Sequence, residues 1–229
     1  RGLGDVYKRQ AFTEPNTISD VLKFEAGDYS REVGTILSGA GVLDVGTVLG
    51  QITKGAVTAA AKAGGNTGNG TLTVDATTPK VAGAVAGVYT VRCIAAATNA
   101  GTLRVTAPDG TVLGDVAVGA TFESQIKFAT ADGSTDFVVG DGFDVTVAAG
   151  SLKYVPHDPT AFDGRETASV VLLGKVDATS ADKTAVLLAR HAEVSRLGLK
   201  WHASVDNSTK KNNAIAMLAL KGIITRDSA

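Results

Sequence analysis

The feature that most constrains this chain is a period-two alternation of apolar and polar residues through its middle. Leu72 and Val74 alternate with Thr71, Thr73 and Asp75; Tyr89, Val91 and Cys93 with Thr90, Arg92 and Ile94; Leu103 and Val105 with Thr102, Arg104 and Thr106. Successive side chains on a strand point to opposite faces, so each set predicts a strand with one face buried. Pro108-Asp109-Gly110 and Asp132-Gly133 are tight-turn signals, the second separating FESQIKFATA from a strand pair read in DFVV and FDVTV. Short strands at this spacing predict a small sandwich of roughly seven strands.

The same region has its own composition. Residues 55–150 hold 15 of the 27 glycines, with five basic and eight acidic residues amid dense Thr, Val and Ala. This texture predicts an inserted β-sandwich domain at 55–150. Its entrance reads as a flexible Gly/Asn linker, AAAKAGGNTGNG from Ala59 to Gly70, and its exit as Ala148-Ala149-Gly150. Residues 11–54 and 151–229 then make one discontinuous host domain.

In that host, GTVLGQIT, LKYVP, SVVLLGKV, TAVLLAR, AEVSRLGLKW and GIIT read as strands. STKKNNAIAMLALKG reads as one short C-terminal helix, with Ser208 as N-cap, Ile215, Leu218 and Ala219 on one face, and Gly222 as the stop. Residues 11–36 carry scattered single hydrophobics without sustained periodicity, which predicts an extended N-terminal arm. The expected fold is thus mainly β: a small β-rich host with an arm and one helix, interrupted by the sandwich.

Charge and cysteine usage narrow the function. Lys plus Arg is 22 and Asp plus Glu is 23, so the net charge is 22 − 23 = −1, without the basic excess that nucleic acid or a membrane surface would select. The single cysteine, Cys93, forms no internal disulfide and no Cys-based metal cluster; its place on an alternating strand makes it a core residue. No apolar run reaches the roughly 18–20 residues of a membrane span, and no basic-then-apolar signal opens the chain, which reads as a soluble product made in the cytoplasm. The first ten residues, RGLGDVYKRQ, carry three basic charges and read as a non-native leader.

Catalytic motifs do not assemble. His191-Ala-Glu193 matches half of a zinc-deaminase signature, but the other half needs Pro-Cys-x-x-Cys, which one cysteine cannot supply. His157, His191 and His202 are scattered. Ser38 lacks the flanking glycines of a nucleophile elbow, and Gly39, Gly41 and Gly46 miss phosphate-loop spacing, so these residues serve turns. Asp132, Asp136, Asp141 and Asp144 in DGSTDFVVGDGFD loosely match one calcium-binding repeat; without stacked copies they read as solvated turn carboxylates, with calcium the alternative. The expectation is no enzyme, no catalytic residue and no cofactor.

The host carries a likeness. FEAGDYSREVGTILSGAGVLDVGTVLGQITKG, LKYVPHDPTAFDGRETASVVLLGKVDAT, KTAVLLARHAEV, LGLKWHA and NAIAMLALKGIITR resemble, in order, the head decoration proteins of tailed phages, the lambda protein D type. A strand ending at Lys54, the Asp163-Gly164 step, the Val-Val-Leu-Leu-Gly strand and Trp201 fall in the family's sequence. The compact family member lacks anything like residues 55–150.

The resemblance implies a structural protein of the virion: a homotrimer on the outer surface of the expanded head, clamping the major capsid protein. Carried onto this chain, the capsid-contact segment is Phe24 to Ile36, with Phe24 and Tyr29 as apolar anchors, Arg31 and Glu32 as rim charges, and Ser30 and Ile36 within it. Trp201 is then core or trimer packing. The rival reading gives the main role to the insert, as a surface-displayed receptor- or carbohydrate-binding module with a host-surface ligand. That reading needs exposed aromatic platforms among Tyr89, Phe122, Phe128, Phe137 and Phe143.

Overall fold

The structure is a computed structural model that describes residues 14–227. The leader 1–10 and the first residues of the expected arm lie outside that range. Twenty elements follow one another: α1 (Ile18–Val21), β1 (Leu22–Glu25), β2 (Arg31–Ile36), β3 (Gly41–Leu43), β4 (Val48–Gln51), β5 (Lys54–Ala61), β6 (Thr71–Val74), β7 (Gly87–Ala97), β8 (Ala100–Thr106) and β9 (Val112–Ala117). Then come β10 (Thr121–Glu123), β11 (Lys127–Ala131), β12 (Gly142–Ala149), β13 (Tyr154–Pro156), β14 (Ala168–Leu172), β15 (Val176–Ala178), β16 (Lys183–Leu188), β17 (Ala192–Ser195), α2 (Ser208–Ala219) and β18 (Ile223–Arg226). The fold is mainly β with one short C-terminal helix, as the sequence implies.

Five host strands close into a barrel in the order β13-β2-β16-β14-β4. The apolar runs of β4 and β14 are nearly unbroken because both of their faces are covered, whereas β2 exposes Val33 and β16 exposes Val186. Leu49, Val170, Leu172 and Leu187 point inward with Ile36 and Tyr154, while their neighbours Val48, Val171 and Leu188 point outward beneath α2, against Ala214 and Leu218. A three-stranded sheet, β1-β17-β18, lies beside this second core. The β17-α2-β18 connection makes its last pair parallel.

Several expectations need correction. The segment read as an extended arm is folded from Ile18 onward: β1 pairs with β17, and β2 is a full barrel strand beside β16. The alternation that would have revealed β2 is missing because an inward position is Gly34, where a Cβ would collide with the Leu187 side chain and the Tyr154 ring. The helix N-cap is Asn207, whose side chain accepts the Lys210 N–H at 3.0 Å, and Ser208 is the first helical residue. Its buried positions are Ala214 and Leu218, with Ile215 and Met217 packing alongside; Ala219 is exposed. Gly222 does end the unit, at φ +76°. The strand read through AEVSRLGLKW stops at Ser195, and the strand expected to reach Lys54 stops at Gln51.

Residues 54–149 form two sheets, β5-β12-β7-β8-β9 and β10-β11-β6, sharing one core of Tyr89, Val91, Leu103, Val105, Phe128, Phe137 and their neighbours. No residue of this core belongs to the barrel cores. The alternations at Tyr89, Val91 and Cys93 and at Leu103 and Val105 bury the faces read from sequence. DFVV, however, is not a strand: Phe137 plugs the core, while Val138 enters a turn built around Asp141. Ala59 to Ala61, read as linker, belong to β5, so the Gly/Asn stretch is a loop at the far end of that strand.

Candidate functional site

The segment carried over as a contact site does not act as one continuous surface. Phe24 and Tyr29 are 60% and 62% exposed, whereas Ser30 and Ile36 are fully buried, so the side chains of those two are not presented at this surface. Ile36 fills the barrel. Ser30 ties the segment down: its hydroxyl accepts the Ala26 N–H at 2.9 Å and donates to the His191 carbonyl at 2.8 Å. Arg31 and Glu32 are half-exposed and already paired. Arg31 forks onto Glu25 at 2.6 and 2.7 Å, which holds the Glu25 carboxyl below its ordinary range. Glu32 accepts from Arg190 at 2.7 Å and from the Tyr154 hydroxyl at 2.8 Å.

What the fold builds around the two exposed aromatics is a groove of about 480 Å³. Phe24, Tyr29 and Ile224 line it, together with His191, Ala192 and Glu193. The Tyr29 ring stacks on His191 with centroids 5.6 Å apart, and the Arg190 guanidinium sits 5.4 Å above it while bonding the Tyr29 carbonyl at 2.9 Å. His191 adopts φ +44°, an uncommon conformation for a residue with a side chain, and its backbone is held by Ser30 and by the Lys221 carbonyl. Glu193 lines the groove between Phe24 and Ile224 and is paired with Arg226 at 2.7 Å; the neighbouring charges are matched as above. A mostly apolar groove whose charges are paired within the chain suits an apolar segment of another protein rather than a charged small molecule. The family likeness pointed to Phe24 and Tyr29 but not to His191, Ala192 and Ile224 beside them, because nothing local joins residues some 160 to 200 positions apart.

The other candidates resolve into structure. Asp141, read as solvated, is 3% exposed. Burial alone would push its carboxyl up, yet N–H bonds from Gly68, Thr67 and Val138 hold it below the usual range. Asp144 pairs with Arg92 and Asp136 accepts the Asn99 N–H, so the four aspartates do not converge; among the described residues no group of three or more His, Cys, Asp or Glu could hold a metal. Cys93 is buried, and burial pushes its thiol up, away from the reactive thiolate. Ser38 lies in a turn, and Trp201 is half-buried against the core under α2. Tyr89, Phe122, Phe128, Phe137 and Phe143 are all buried in the core of residues 54–149. No aromatic of that unit is therefore presented as a stacking platform.

One buried histidine gives the protein a pH response. His157 is 1% exposed and its Nδ1 bonds the Arg165 carbonyl at 2.9 Å; burial pushes its pKa below the ordinary 6.5. The unfolded chain therefore binds the proton first as pH falls, and stability drops below about pH 6.5 towards the lower folded value. Beside it, burial would raise the Asp158 carboxyl, but Thr160 and Ser204 hydrogen bonds bring it down to about 2, so its contribution is lost in a separate window between about pH 4 and 2. Thermal melts should show both steps, and His157→Gln should remove only the upper one.

The sequence matches the family described as "Bacteriophage lambda head decoration protein D" over residues 11–223, nearly the whole chain. The chain belongs to that family. It is a phage head decoration protein, a structural component of the virion capsid. No curated protein matches it. Two crystal structures of Xanthomonas campestris FlgL, in space groups H3 and C2, are similar to 46% and 47% of this chain at 22% and 23% identity, each with a TM-score of 0.30. The aligned part is 33% of those chains, and so loose a likeness bears neither on fold nor on role.

Proposed function

We propose that this decoration protein binds the outer surface of the expanded phage head as a homotrimer and stabilises the lattice of the major capsid protein, with the Phe24–Tyr29 groove as its capsid contact. The observation that carries this reading is a pair of aromatics more than half exposed on an apolar groove, in a chain whose family decorates heads. Aromatic anchors that become fully desolvated dominate binding energies, while paired rim charges contribute little. Three such contacts in one trimer act by effective concentration, so modest single-site affinity yields tight occupancy. Residues 55–150 are, on this reading, an inserted β-sandwich projecting outward, and the chain is made in the bacterial cytoplasm before joining the shell. The burial of every aromatic in that unit weighs against a glycan-stacking role for it.

The test uses purified protein and expanded, undecorated capsids. Wild-type protein should bind and raise the capsids' melting temperature. The double variant Phe24→Ala, Tyr29→Ala should lose at least about a hundredfold in affinity, the scale of two hot-spot aromatics. Its own unfolding free energy should change by only about 1 kcal/mol, because Phe24 is largely exposed already. Undiminished binding by the variant would remove the groove from the interface. Absence of binding by the wild type would remove the capsid-stabilising role.

A further inference from the structure

The chain crosses between the barrel and the 54–149 sheets twice, at residues 52–54 and 149–153, and the two crossings hydrogen-bond to each other. Ile52 N–H donates to Lys153, Leu152 N–H to Ile52, and Gly150 N–H to Thr53, each at 2.9 Å. These bonds continue the Tyr154–Gln51 pairing of β13 and β4 on one side and the Ala149–Lys54 pairing of β12 and β5 on the other. The junction is therefore an antiparallel ribbon running from one body into the next, not a pair of free linkers.

Further struts brace it. Thr53 and Lys54 N–H both donate to the Asp163 carbonyl at 2.9 Å, and Lys54 Nζ reaches Glu166 at 2.6 Å. From the loop after β6, Lys80 sends its Nζ to the Gly55 carbonyl at 2.5 Å and to that of Lys54 at 3.4 Å. That loop is itself fixed, since Val81 N–H bonds Gln125 and Lys127 N–H bonds Pro79. There is no slack between the parts: a Cβ on Gly55 would lie 2.7 Å from the Ala149 carbonyl, and one on Gly150 or Gly164 would run into the strand at Gln51–Thr53. Gly164 also sits at φ +113°, which a side chain would strain.

We propose that this ribbon and the Lys80 clasp form a rigid mount that locks the 54–149 unit in one orientation on the barrel, making that unit a fixed extension of the host rather than a tethered module. Lys80 acts here as a positioning residue: its ammonium bonds two carbonyls of the crossing strand, beside the Lys54–Glu166 and Arg165–Asp163 pairs. An ammonium–carbonyl bond is worth more than a neutral one, so its loss opens the junction measurably.

Amide relaxation of the whole chain tests this. In the wild type, amides of the barrel and of residues 54–149 should report one shared rotational correlation time. Lys80→Met keeps the aliphatic stem but removes the donor; it should lose the shared value and be cut by protease at the junction roughly tenfold faster. Lys80→Arg, which keeps a donor, should retain most of both properties. Two distinct correlation times in the wild type would overturn the rigid mount. Wild-type behaviour in a folded Lys80→Met variant would overturn the clasp, and should that variant fail to fold, the wild-type measurement and Lys80→Arg still decide the matter.

Discussion

Replacing Asp141 by asparagine should destabilise the protein by about 2–4 kcal/mol and lower its melting temperature by roughly 5–15 °C. One carboxylate oxygen takes the Thr67 N–H at 3.0 Å, and the other takes those of Gly68 at 2.9 Å and Val138 at 3.1 Å. An amide has one acceptor oxygen, and its NH2 group would point at backbone N–H donors. At least one buried donor is then left unpaired beside another donor, which costs the desolvation of that group rather than the small net value of an ordinary hydrogen bond. The damage spreads because Asp141 joins the 67–70 loop to the turn that seats Phe137, and the Phe137 ring meets Phe143 edge-on across the core. Asp136→Asn is the comparison: that carboxylate accepts one exposed N–H, so about 0.5 kcal/mol is expected. Denaturant unfolding of both variants checks the difference, and equal midpoints would show that the three-donor cradle stabilises nothing.

Asp141 also marks where the sequence stops being readable. Alternation revealed β7 and β8 because their inward faces carry Tyr89, Val91, Leu103 and Val105, and an unbroken apolar run revealed β14 because a second core covers its outer face, as it does β16 only at Leu188. Both signals need apolar side chains at the buried positions. They fail in β2, where Gly34 occupies such a position to make room for Leu187 and Tyr154, and in DFVV, where apolar letters belong to a turn organised by a buried carboxylate. The groove was half legible. Phe24 and Tyr29 were reached only through the family likeness, and their burial could not be judged without β17 and β18, which arrive from the other end of the chain. The acidic cluster misled for the opposite reason: aspartates close in sequence project to different places once β12 and its preceding turn are formed.

Gly50→Ala should be at least as damaging, about 3 kcal/mol or more, although it adds one methyl group to a residue with no positive φ. Gly50 lies in β4 between two barrel neighbours, pairing with Val155 of β13 and Ala168 of β14. A Cβ there would sit 2.5 Å from the Arg165 carbonyl oxygen and 2.6 Å from its Cα. These are backbone atoms, so no rotamer change relieves the overlap; either β4 or the 163–166 loop must move. Moving the loop loosens the Arg165 carbonyl from His157 Nδ1 and from the Asp158 N–H, leaving a buried imidazole without its partner. It also draws the Asp163 carbonyl away from Thr53 and Lys54, so the same methyl that disturbs the barrel should loosen the ribbon carrying the 54–149 unit. Gly174→Ala tests whether glycine replacement itself is harmful: nothing lies within 4 Å of a Cβ there, and the change should stay within about 0.5 kcal/mol. If urea midpoints of the two variants coincide, the contact between β4 and the Arg165 loop is not the constraint that its geometry implies. If Gly50→Ala alone falls and its junction becomes protease-sensitive, the barrel wall and the mount of the larger β unit share one support.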